Sequence, residues 1–567
     1  MFRANNITGA EAVLHSLVAE GIDCVFGYPG GTIIPIYDKL YGFTDRLHHI
    51  LTRHEQGAVH AAQGYSRATG KVGVCMATSG PGATNFITGI ADAMVDSTPI
   101  VCITAQVAST ALGSDAFQEA DMISMTMPIS KWNYQVTDAS EIAGALSKAF
   151  YIAQSGRPGP VVLEITKDAQ TQMLEEYHYS NCCSLRSYNP TPKIDISKVE
   201  QAAELINSSK SPLFIIGQGV SISNASSEML SVIEKCGAPV ASTIMGLSVI
   251  PTSHPQYIGM VGMHGSVAAN AMTQKSDLII AVGMRFSDRV TGDVKRYAPN
   301  AKIIHIDIDA VEIGKVVKCF LGILGDVKEV ATVIEPLIEA KSHDEWLSEA
   351  QKHYKKEFDL VVKRTVHDND GSIKMGRAID TITQAGAGDI VVVTDVGQQQ
   401  IYAARYSKFN SPRSFITSGG LGTMGYGLPA AMGAKLGVEN KQVVAILGDG
   451  GFQMTMQELG TIAQNSIDVK VVILNNSYLG MVRQWQQLFF DKRYSFTELQ
   501  NPDFTIIASA YGIKSTKVTT VEKLEEAVNE MLAHKGAYLL EVIVDREENV
   551  FPMVPAGESI SSQICNE

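Results

Sequence analysis

The stretch VVAILGDGGFQMTMQELG, residues 443–460, joins an apolar run to a glycine-rich turn and a helical pattern. Such a strand-to-helix turn commonly holds a phosphate, because free backbone N–H groups and the helix dipole favour an anion there. Asp449, however, places a carboxylate where a phosphate-binding loop would need a cation. A metal ion between the carboxylate and the anion would resolve this conflict.

The strand that follows supplies a second oxygen ligand. The run VKVVILNN ends at Asn475 and Asn476, and Asn476 lies 476 − 449 = 27 residues after Asp449. Consecutive parallel strands joined by one helix end at the same sheet edge, so both side chains can face one crevice. Carboxylate and amide oxygens suit Mg²⁺, which completes its octahedron with phosphate oxygens and water. A turn and a helix cap would also explain these residues, but GDG followed at this spacing by NN resembles the signature of thiamine diphosphate enzymes.

Composition and charge limit the classes of protein that fit. The 567 residues are too many for one hydrophobic core, so two to four domains are expected. A formal net charge of −13 argues against nucleic acid as a main partner. No apolar run reaches the ~18–20 residues of a membrane helix, and the N-terminus has no signal-peptide pattern. The eight scattered cysteines form no CxxC pair and are expected to be reduced, so we expect a cytoplasmic protein.

Short β-rich runs alternate with helical patterns along the whole chain, which predicts α/β layers built on parallel sheets. Polar connectors at about 170–192 and 341–372 divide the chain into three domains. The segments 72–106 and 443–476 both read as strand, Gly-x-Gly, helix, strand. Because any two βαβ units could match in this way, the internal similarity is weak by itself.

Thiamine diphosphate also requires an acid beside its aminopyrimidine ring. A carboxyl group in an apolar pocket has a raised pKa and can hold the necessary proton. The candidate is Glu55, a lone acid between a strand and an alanine-rich, nearly uncharged helix. A helix-start residue favoured by the dipole is an equally good explanation of Glu55, so its position leaves both interpretations open.

A colinear series of motifs resembles the acetohydroxyacid synthase (acetolactate synthase) large subunits essentially from end to end. The motifs include RHEQGA (53–58), SGRPGPV (155–161), RFSDRVTGD (285–293), GLGTMGYGLPAA (420–431) and NNSYLGMVRQWQQLFF (475–490). The resemblance implies three doubly wound parallel-sheet domains, namely a pyrimidine-binding domain at 1–180, a central FAD-binding domain at 190–345 and a diphosphate- and Mg²⁺-binding domain at 370–550, followed by a tail at 551–567. It implies decarboxylation of pyruvate and condensation with pyruvate or 2-ketobutyrate in branched-chain amino acid biosynthesis.

The resemblance also assigns the cofactor residues. Glu55 would be the aminopyrimidine acid, and the backbone carbonyl of Tyr478 would join Asp449 and Asn476 on Mg²⁺. Further residues expected at the thiamine diphosphate are Val396, Gly397, Gln398, Gln399, Gly422, Met424, Gly448, Gly450, Gly451 and Met481. Gln399 departs from the family, whose members commonly have a histidine against the diphosphate. Glutamine can still donate a neutral hydrogen bond, so we expect looser cofactor binding at most.

The same resemblance implies a homodimer in which Glu55 of one subunit serves the cofactor held by the other subunit. It leaves open whether the dimer assembles into a tetramer and whether a small regulatory subunit binds.

The residues expected around the second 2-ketoacid determine whether the enzyme acts as a synthase or only as a decarboxylase. By resemblance, Arg289 binds the carboxylate of this acceptor, and Trp485 forms an apolar wall that prefers 2-ketobutyrate, a preference worth roughly 1–3 kcal/mol for one methylene. A surface pair with Asp288 would also explain Arg289, and a core position would explain Trp485. Resemblance alone adds Phe117, Gln118, Lys167 and Met263 to this pocket.

The central domain is expected to bind FAD. The run FIIGQGV (214–220) reads as a strand that leads into a glycine turn at Gly217 and Gly219, and Asp307 ends a strand where an acid can take ribose hydroxyls. The segment RFSDRVTGD carries the expectation, since FAD-independent catabolic acetolactate synthases lack it. The flavin residues further implied by resemblance are Arg157, Arg289 and Asp326.

Two rival functions stay open at this point. One is a pyruvate oxidase-like enzyme or another thiamine diphosphate-dependent 2-ketoacid decarboxylase or carboligase, against which Arg289 and Trp485 argue. The other is a catalytically silent regulatory subunit, against which Glu55, Asp449 and Asn476 argue. The tail VPAGESISSQICNE (554–567) is either a lid over the site or a frayed terminus.

Overall fold

The computed structural model describes residues 2–367, 371–438 and 440–566. Its elements form three six-stranded parallel sheets and one antiparallel pair of strands. This arrangement confirms the expected α/β class with three parallel-sheet units. Among the described residues, no helix combines the length and the apolarity needed to cross a membrane.

The first unit begins with an antiparallel pair, β1 (Phe2–Thr8) and β8 (Met173–Tyr179), which lies beside a parallel sheet. The sheet contains β2 (Cys24–Tyr28), β3 (His48–Leu51), β4 (Gly73–Ala77), β5 (Ile100–Gln106), β6 (Trp132–Val136) and β7 (Val161–Thr166), in the order β3-β2-β4-β5-β7-β6. Its helices are α1 (Gly9–Ala19), α2 (Ile34–Leu40), α3 (Glu55–Thr69), α4 (Pro81–Thr84), α5 (Ile87–Val95), α6 (Met122–Thr126), α7 (Ile142–Gln154) and α8 (Lys167–Thr171).

The second unit has the strand order β11-β10-β9-β12-β13-β14. Its strands are β9 (Pro212–Ile216), β10 (Val240–Ser242), β11 (Tyr257–Met260), β12 (Leu278–Val282), β13 (Lys302–Asp307) and β14 (Leu321–Leu324). Its helices are α9 (Ile196–Ser208), α10 (Gln218–Ile222), α11 (Ser226–Cys236), α12 (Val267–Lys275), α13 (Asp288–Thr291) and α14 (Val327–Ile334). Helix α15 (Asp344–Glu357) follows and continues into a π-helical stretch over Phe358–His367.

The third unit has the strand order β16-β15-β17-β18-β20-β19. Its strands are β15 (Val391–Thr394), β16 (Phe415–Ile416), β17 (Val443–Gly448), β18 (Val469–Asn475), β19 (Lys514–Val518) and β20 (Tyr538–Ile543). Its helices are α16 (Met375–Ala385), α17 (Gln398–Tyr406), α18 (Gly427–Gly437), α19 (Asp449–Thr455), α20 (Leu459–Gln464), α21 (Gly480–Phe489), α22 (Phe504–Ala510) and α23 (Leu524–Ala533).

One predicted connector is more structured than expected. Residues Lys167–Thr171 form α8 and Met173–Tyr179 form β8, so the irregular part of the 170–192 segment is shorter than predicted. Buried and exposed residues alternate in β8 because it pairs with β1. Strand β1 is distant in sequence, so the pairing is not evident from the local pattern. The second connector is helical as expected, although its residues 368–370 lie outside the described residues.

The first and third units share one hydrophobic core because α3 and α18 pack at very close range. A side chain at Gly64 would lie 1.9 Å from the carbonyl oxygen of Ala430, and one at Gly433 would lie 1.9 Å from that of Ala61. Glycine at both positions therefore lets the two helix backbones touch.

Candidate active site

The predicted metal ligands lie at the carboxyl edge of the third sheet. Helix α19 begins at Asp449 where β17 ends, and β18 runs parallel beside β17. The side-chain nitrogen of Asn501 donates to Asp449 Oδ2 at 2.6 Å and to Asn475 Oδ1 at 2.9 Å, so one amide joins the two strand ends. Asp449 is almost completely buried, and burial raises the pKa of its carboxyl to about 6.

Asn476 and Tyr478 follow on a loop with a fixed conformation. Asn476 Oδ1 accepts from the backbone nitrogen of Tyr478 at 3.1 Å, and its Nδ2 donates to Gln398 Oε1 at 3.4 Å. The backbone nitrogen of Leu479 donates to the carbonyl of Thr497 at 2.8 Å, which ties this loop to the next one. The described residues contain no group of three or more His, Cys, Asp or Glu suited to a metal. A site of one carboxylate with amide and carbonyl oxygens would escape such a grouping and still suit Mg²⁺.

Asp395 organises the turns around this edge and was not among the residues predicted from the sequence. Its buried carboxylate accepts hydrogen bonds from the backbone nitrogens of Val396 at 2.7 Å, Gly425 at 3.0 Å and Gly427 at 3.1 Å. Burial raises the pKa of Asp395 to about 6. Asp395 directly follows β15, so the strand-edge rule that selected Asp449 could also have found it. Asn501, in the motif NPDF, was likewise without an assigned role.

The glycine-rich turns leave no room for side chains. A Cβ at Gly451 would lie 2.7 Å from Asp395 Oδ1, and one at Gly448 would lie 3.0 Å from Gln399 Oε1. Gln399 is buried against Gly448 and Gly397, between the two loops that the sequence assigns to the diphosphate. These contacts hold the backbone in the close-approach geometry that a phosphate needs.

A cavity of about 1040 Å³ brings together residues that the sequence assigned to three tasks. From the predicted thiamine diphosphate set, its lining includes Val396, Gly397, Gly422, Met424 and Met481. From the acceptor set it includes Met263, Arg289 and Trp485, and from the flavin set Arg157, Gly219, Asp307 and Asp326. Gly217 is not in this lining. It packs closely on Gly283, whose carbonyl oxygen would lie 2.2 Å from a Cβ at Gly217.

The flavin candidates contribute polar and charged side chains to the lining of this cavity. Arg157 makes ion pairs with Glu312 at 2.8 Å and with Asp309 at 3.3 Å. Asp307 ends β13, and burial raises its pKa to about 6. Asp326 accepts from Ser223 Oγ at 2.7 Å and caps α14.

Arg289 is exposed enough to receive a ligand. Its side chain is 62% exposed, and its Nε lies 3.8 Å from Asp288 Oδ2, a loose surface pair of little energetic weight. Arg289 Nη1 lies 3.3 Å from Met263 Sδ, and the backbone nitrogen of Met263 donates to the carbonyl of Arg289 at 2.7 Å. The two acceptor-site candidates are therefore joined by a backbone hydrogen bond and a side-chain contact.

Trp485 lies outside the main cores and contacts the C-terminal tail. Its ring lies 5.2 Å from that of Phe489. It packs on a small buried cluster formed by Val361, Phe551 and Met553, which Leu488, Ile564 and Cys565 also contact.

The tail itself is docked on the second unit. The backbone nitrogen of Val554 donates to the carbonyl of Met263 at 2.8 Å, and Gln563 Nε2 donates to the carbonyl of Gly265 at 3.0 Å. Over its described residues the tail thus packs against the second unit.

The cavity lining leaves out four predicted site residues of the first unit, Gly217 of the second, and eight of the third, namely Gln398, Gln399, Gly448, Asp449, Gly450, Gly451, Asn476 and Tyr478. Glu55 begins α3, is half-buried and accepts from Asn85 Nδ2 at 2.9 Å. Phe117 and Lys167 are exposed, and Gln118 has a φ of 62° beside Gly80. Within the single chain, neither these residues nor the proposed metal ligands of the third unit line the cavity.

Comparison with known families covers all three units. Models of the thiamine pyrophosphate enzymes match at residues 7–125 for the N-terminal TPP binding domain, 199–334 for the central domain and 395–542 for the C-terminal TPP binding domain.

Individual relatives match over nearly the whole length of both chains. The acetolactate synthase large subunit of Corynebacterium glutamicum is 45% identical over 563 residues, covering 98% of this chain and 90% of that protein. The acetolactate synthase isozyme 2 large subunit of Escherichia coli is 43% identical over 563 residues, covering 98% of this chain and 99% of that protein. A probable acetolactate synthase large subunit of Methanocaldococcus jannaschii is 43% identical over 566 residues, covering 98% and 94%.

Proposed function

The chain belongs to the acetolactate synthase large subunits, a family of thiamine pyrophosphate enzymes, and from this premise we propose how its residues perform the reaction. It is a thiamine diphosphate-dependent acetolactate synthase of branched-chain amino acid biosynthesis. We assign it two acceptors, pyruvate, which gives 2-acetolactate, and 2-ketobutyrate, which gives 2-aceto-2-hydroxybutyrate. The observation that carries this assignment is the one cavity in which Arg289 and Trp485 face Gly397, Met424 and Met481.

The residues at the sheet edge fit thiamine diphosphate with Mg²⁺. Asp449 is buried, and no basic side chain in the described ranges forms an ion pair with it, so a cation would satisfy its charge. Asn476 Oδ1 accepts one hydrogen bond and has a second lone pair for a metal. We propose that Asp449, Asn476 and the carbonyl of Tyr478 hold Mg²⁺. When bound, thiamine diphosphate supplies the carbon nucleophile that attacks the 2-keto group.

The chain's own residues orient the reacting groups. Glu55 would hold a proton facing a ring nitrogen of the aminopyrimidine, as a positioned acid does. Arg289 would bind the acceptor carboxylate, for which its exposed guanidinium is suited by charge and geometry. Trp485 and Met263 would shape the apolar side of the acceptor pocket, with Gln118, Phe117 and Lys167 added from the partner subunit.

We propose FAD as the second organic cofactor. The cavity reaches the upper end of the ~300–1,000 Å³ range of ligand sites, and Gly219, Asp307 and Asp326 are among its lining residues. Asp307 lies at a strand end, where it can accept hydrogen bonds from ribose hydroxyls. The flavin would have a structural role and no net redox role, since carboligation needs no oxidant.

We propose a homodimer with shared sites, as the resemblance to the family implies. In this dimer Glu55 of one subunit meets the cofactor bound at Asp449 and Asn476 of its partner, and a tetramer would be a dimer of such dimers. The division into 1–180, 190–345, 370–550 and the tail at 551–567 belongs to this proposal. So does a small regulatory subunit, which the relatives' name "large subunit" suggests. A cytoplasmic location fits the eight cysteines, which are all free thiols.

Mixing two inactive variants tests both the chemistry and the sharing of sites. Glu55→Gln and Asp449→Asn should each lose at least ~10²-fold in acetolactate formation, as expected for a lost acid and a lost metal ligand. Unfolded and refolded together, they should recover about a quarter of wild-type activity, because half of randomly paired dimers are mixed and each keeps one intact site. Full activity of Glu55→Gln would reject its role. No recovery on mixing, from variants that each recover as folded dimers, would reject the shared site.

A further inference from the structure

Helix α21 carries a buried arginine that no carboxylate neutralises among the described residues. Arg483 is completely buried, although Met481 and Trp485 on the same helix face the cavity. Its Nη2 donates to Asn549 Oδ1 at 2.7 Å and to the carbonyl of Glu548 at 3.0 Å. Its Nη1 donates to Gln487 Oε1 at 2.6 Å, one helical turn further on.

The next residue makes a second set of directed bonds. Gln484 is completely buried, and its Oε1 accepts from the backbone nitrogen of Val550 at 2.8 Å while its Nε2 donates to the carbonyl of Val550 at 3.1 Å. The side-chain amide thus makes the same two hydrogen bonds with the backbone of Val550 that a neighbouring β-strand would make. Gln484 Oε1 also accepts from Gln398 Nε2 at 2.9 Å, and Gln398 in turn accepts from Asn476. A continuous amide chain therefore runs from the proposed metal ligand to α21.

These bonds fix the rotation of α21 about its axis. Met481 and Trp485 are four residues apart and share one face, and Gln484 lies three residues after Met481. Apolar packing alone tolerates sliding and small rotations, whereas hydrogen bonds weaken steeply with angle. Arg483 and Gln484 anchor the helix to residues 548–550, and a small rotation would move the Trp485 ring into or out of the cavity.

We propose that Arg483 and Gln484 are positioning residues for acceptor selectivity, because they set how far Trp485 projects into the cavity. The inference rests on the proposed function, in which Trp485 distinguishes 2-ketobutyrate from pyruvate. A one-methylene difference in a hydrophobic pocket supports roughly 10–200-fold discrimination, and that range requires close contact with the wall. Neither residue lines the cavity that Trp485 and Arg289 line.

The test variant is Gln484→Met, which keeps the length of the side chain and removes its directed bonds. The matched control is Gln486→Met on the same helix, because Gln486 bonds to Ser495 and Thr497 and not to residues 548–550. Both receive pyruvate and 2-ketobutyrate in competition, and the ratio of the two products is measured. We expect Gln484→Met to lower the preference for 2-ketobutyrate at least ~3-fold, while the KM for pyruvate changes less than about 2-fold. The control should match the wild type.

A second readout needs no substrate. In a Trp132→Phe, Trp346→Phe background, Trp485 is the sole tryptophan, and its emission maximum and acrylamide quenching report its environment. Gln484→Met should change both, and Gln486→Met should change neither. If Gln484→Met does not fold, Asn549→Ala removes one acceptor of Arg483 and should shift both readouts in the same direction.

A reduced turnover with an unchanged product ratio and unchanged Trp485 emission would overturn the positioning role. A wild-type protein that makes neither product would refute the proposed function instead. In that case the emission of Trp485 would still decide whether Gln484 positions this ring.

Discussion

Glu458 Oε1 accepts a hydrogen bond from the backbone nitrogen of His54 at 3.1 Å, and His54 directly precedes Glu55. The same carboxylate accepts from the backbone nitrogen of Arg53 and from Thr461 Oγ1. A Cβ at Gly57 would lie 2.4 Å from Glu458 Oε1, so no larger residue fits there. A buried acid of the third unit thus fixes the start of the helix that carries the proposed catalytic acid of the first.

Glu458→Gln should lower turnover, because the amide places an NH2 group where Oε2 now accepts from Thr461 Oγ1 at 2.7 Å and from the backbone nitrogen of Arg53 at 3.2 Å. We expect about a 10-fold loss of kcat, corresponding to ~1–2 kcal/mol for an unsatisfied buried group. Glu530→Gln, at an exposed position paired with Lys514, is the control and should keep wild-type kcat. An unchanged kcat in Glu458→Gln would show that the start of α3 is held by other contacts.

The stability of the same variant should depend on pH in a defined direction. Burial raises the pKa of Glu458 to about 7, above its ordinary unfolded value near 4.5. The folded state therefore holds its proton more tightly, so the stability contributed by this group is greatest below pH ~4.5 and falls until pH ~7. The loss is at most about 3 kcal/mol at ~1.4 kcal/mol per pH unit. The Tm of Glu458→Gln relative to wild type should rise between pH 5 and pH 8, and parallel Tm curves would contradict this.

Trp485→Leu should weaken the preference for 2-ketobutyrate, since a smaller wall leaves space where the extra methyl group would be held. We expect a decrease of roughly 10-fold in the product ratio under competition. Tm should also fall, because the ring packs on the cluster of Val361, Phe551 and Met553. Trp346→Leu, in α15 away from the cavity lining, should lower Tm without changing the ratio. An unchanged ratio in Trp485→Leu would reject its pocket role.

Removal of residues 556–567 should raise the KM for the acceptor. The tail holds the second unit through Glu558, whose carbonyl accepts from Asp293 at 3.0 Å, and through Gln563, which donates to Gly265. Both contacts lie on the segments that carry Arg289 and Met263. We expect about a 5-fold increase in KM with a smaller change in kcat. Arg296→Ala breaks the exposed ion pairs with Glu558 and Asp293, leaves the backbone bond between Asp293 and Glu558, and should change KM little. Equal KM values in the truncated and full-length proteins would show that the tail does not influence acceptor binding.

Gln399→His should strengthen thiamine diphosphate binding, because a ring nitrogen can donate to the diphosphate and gains charge when protonated. We expect a Kd about 3–10-fold lower, within the ~0.5–1.5 kcal/mol of one hydrogen bond. Gln384→His, at an exposed helical position, is the control for the added imidazole. Weaker binding by Gln399→His would show that this site is shaped for an amide.

The sequence predicts the carboxyl edge of the third sheet, where the proposed metal ligands lie. The strands that end there are continuous apolar runs, as expected for strands buried on both faces. The sequence does not single out β6 or β16, since β6 is a partly exposed edge strand and β16 has only two residues. Met173–Tyr179 reads as a connector because its strand character depends on pairing with Phe2–Thr8. Local pattern carries no information on such distant partners.

The candidate site likewise contains residues that the sequence identifies and residues that only the folded structure reveals. Asp449 and Asn476 are found from spacing, and Asp395 follows from the same rule, whereas Glu55 has no local feature that separates a catalytic acid from a helix start. The contact between Trp485 and the tail, and the anchoring of α21 by Arg483, depend on tertiary packing of segments about 65 residues apart. No periodicity in the sequence contains that information.

The most direct test is acetolactate formation from pyruvate by protein stripped of metal and cofactors, with thiamine diphosphate, Mg²⁺ and FAD added together or each withheld. The account predicts acetolactate with equimolar CO₂ only when all three are present. Formation of acetolactate without FAD would contradict the assignment of the cavity to a flavin. Formation without Mg²⁺ would contradict the role of Asp449, and CO₂ without acetolactate would contradict the acceptor site at Arg289 and Trp485.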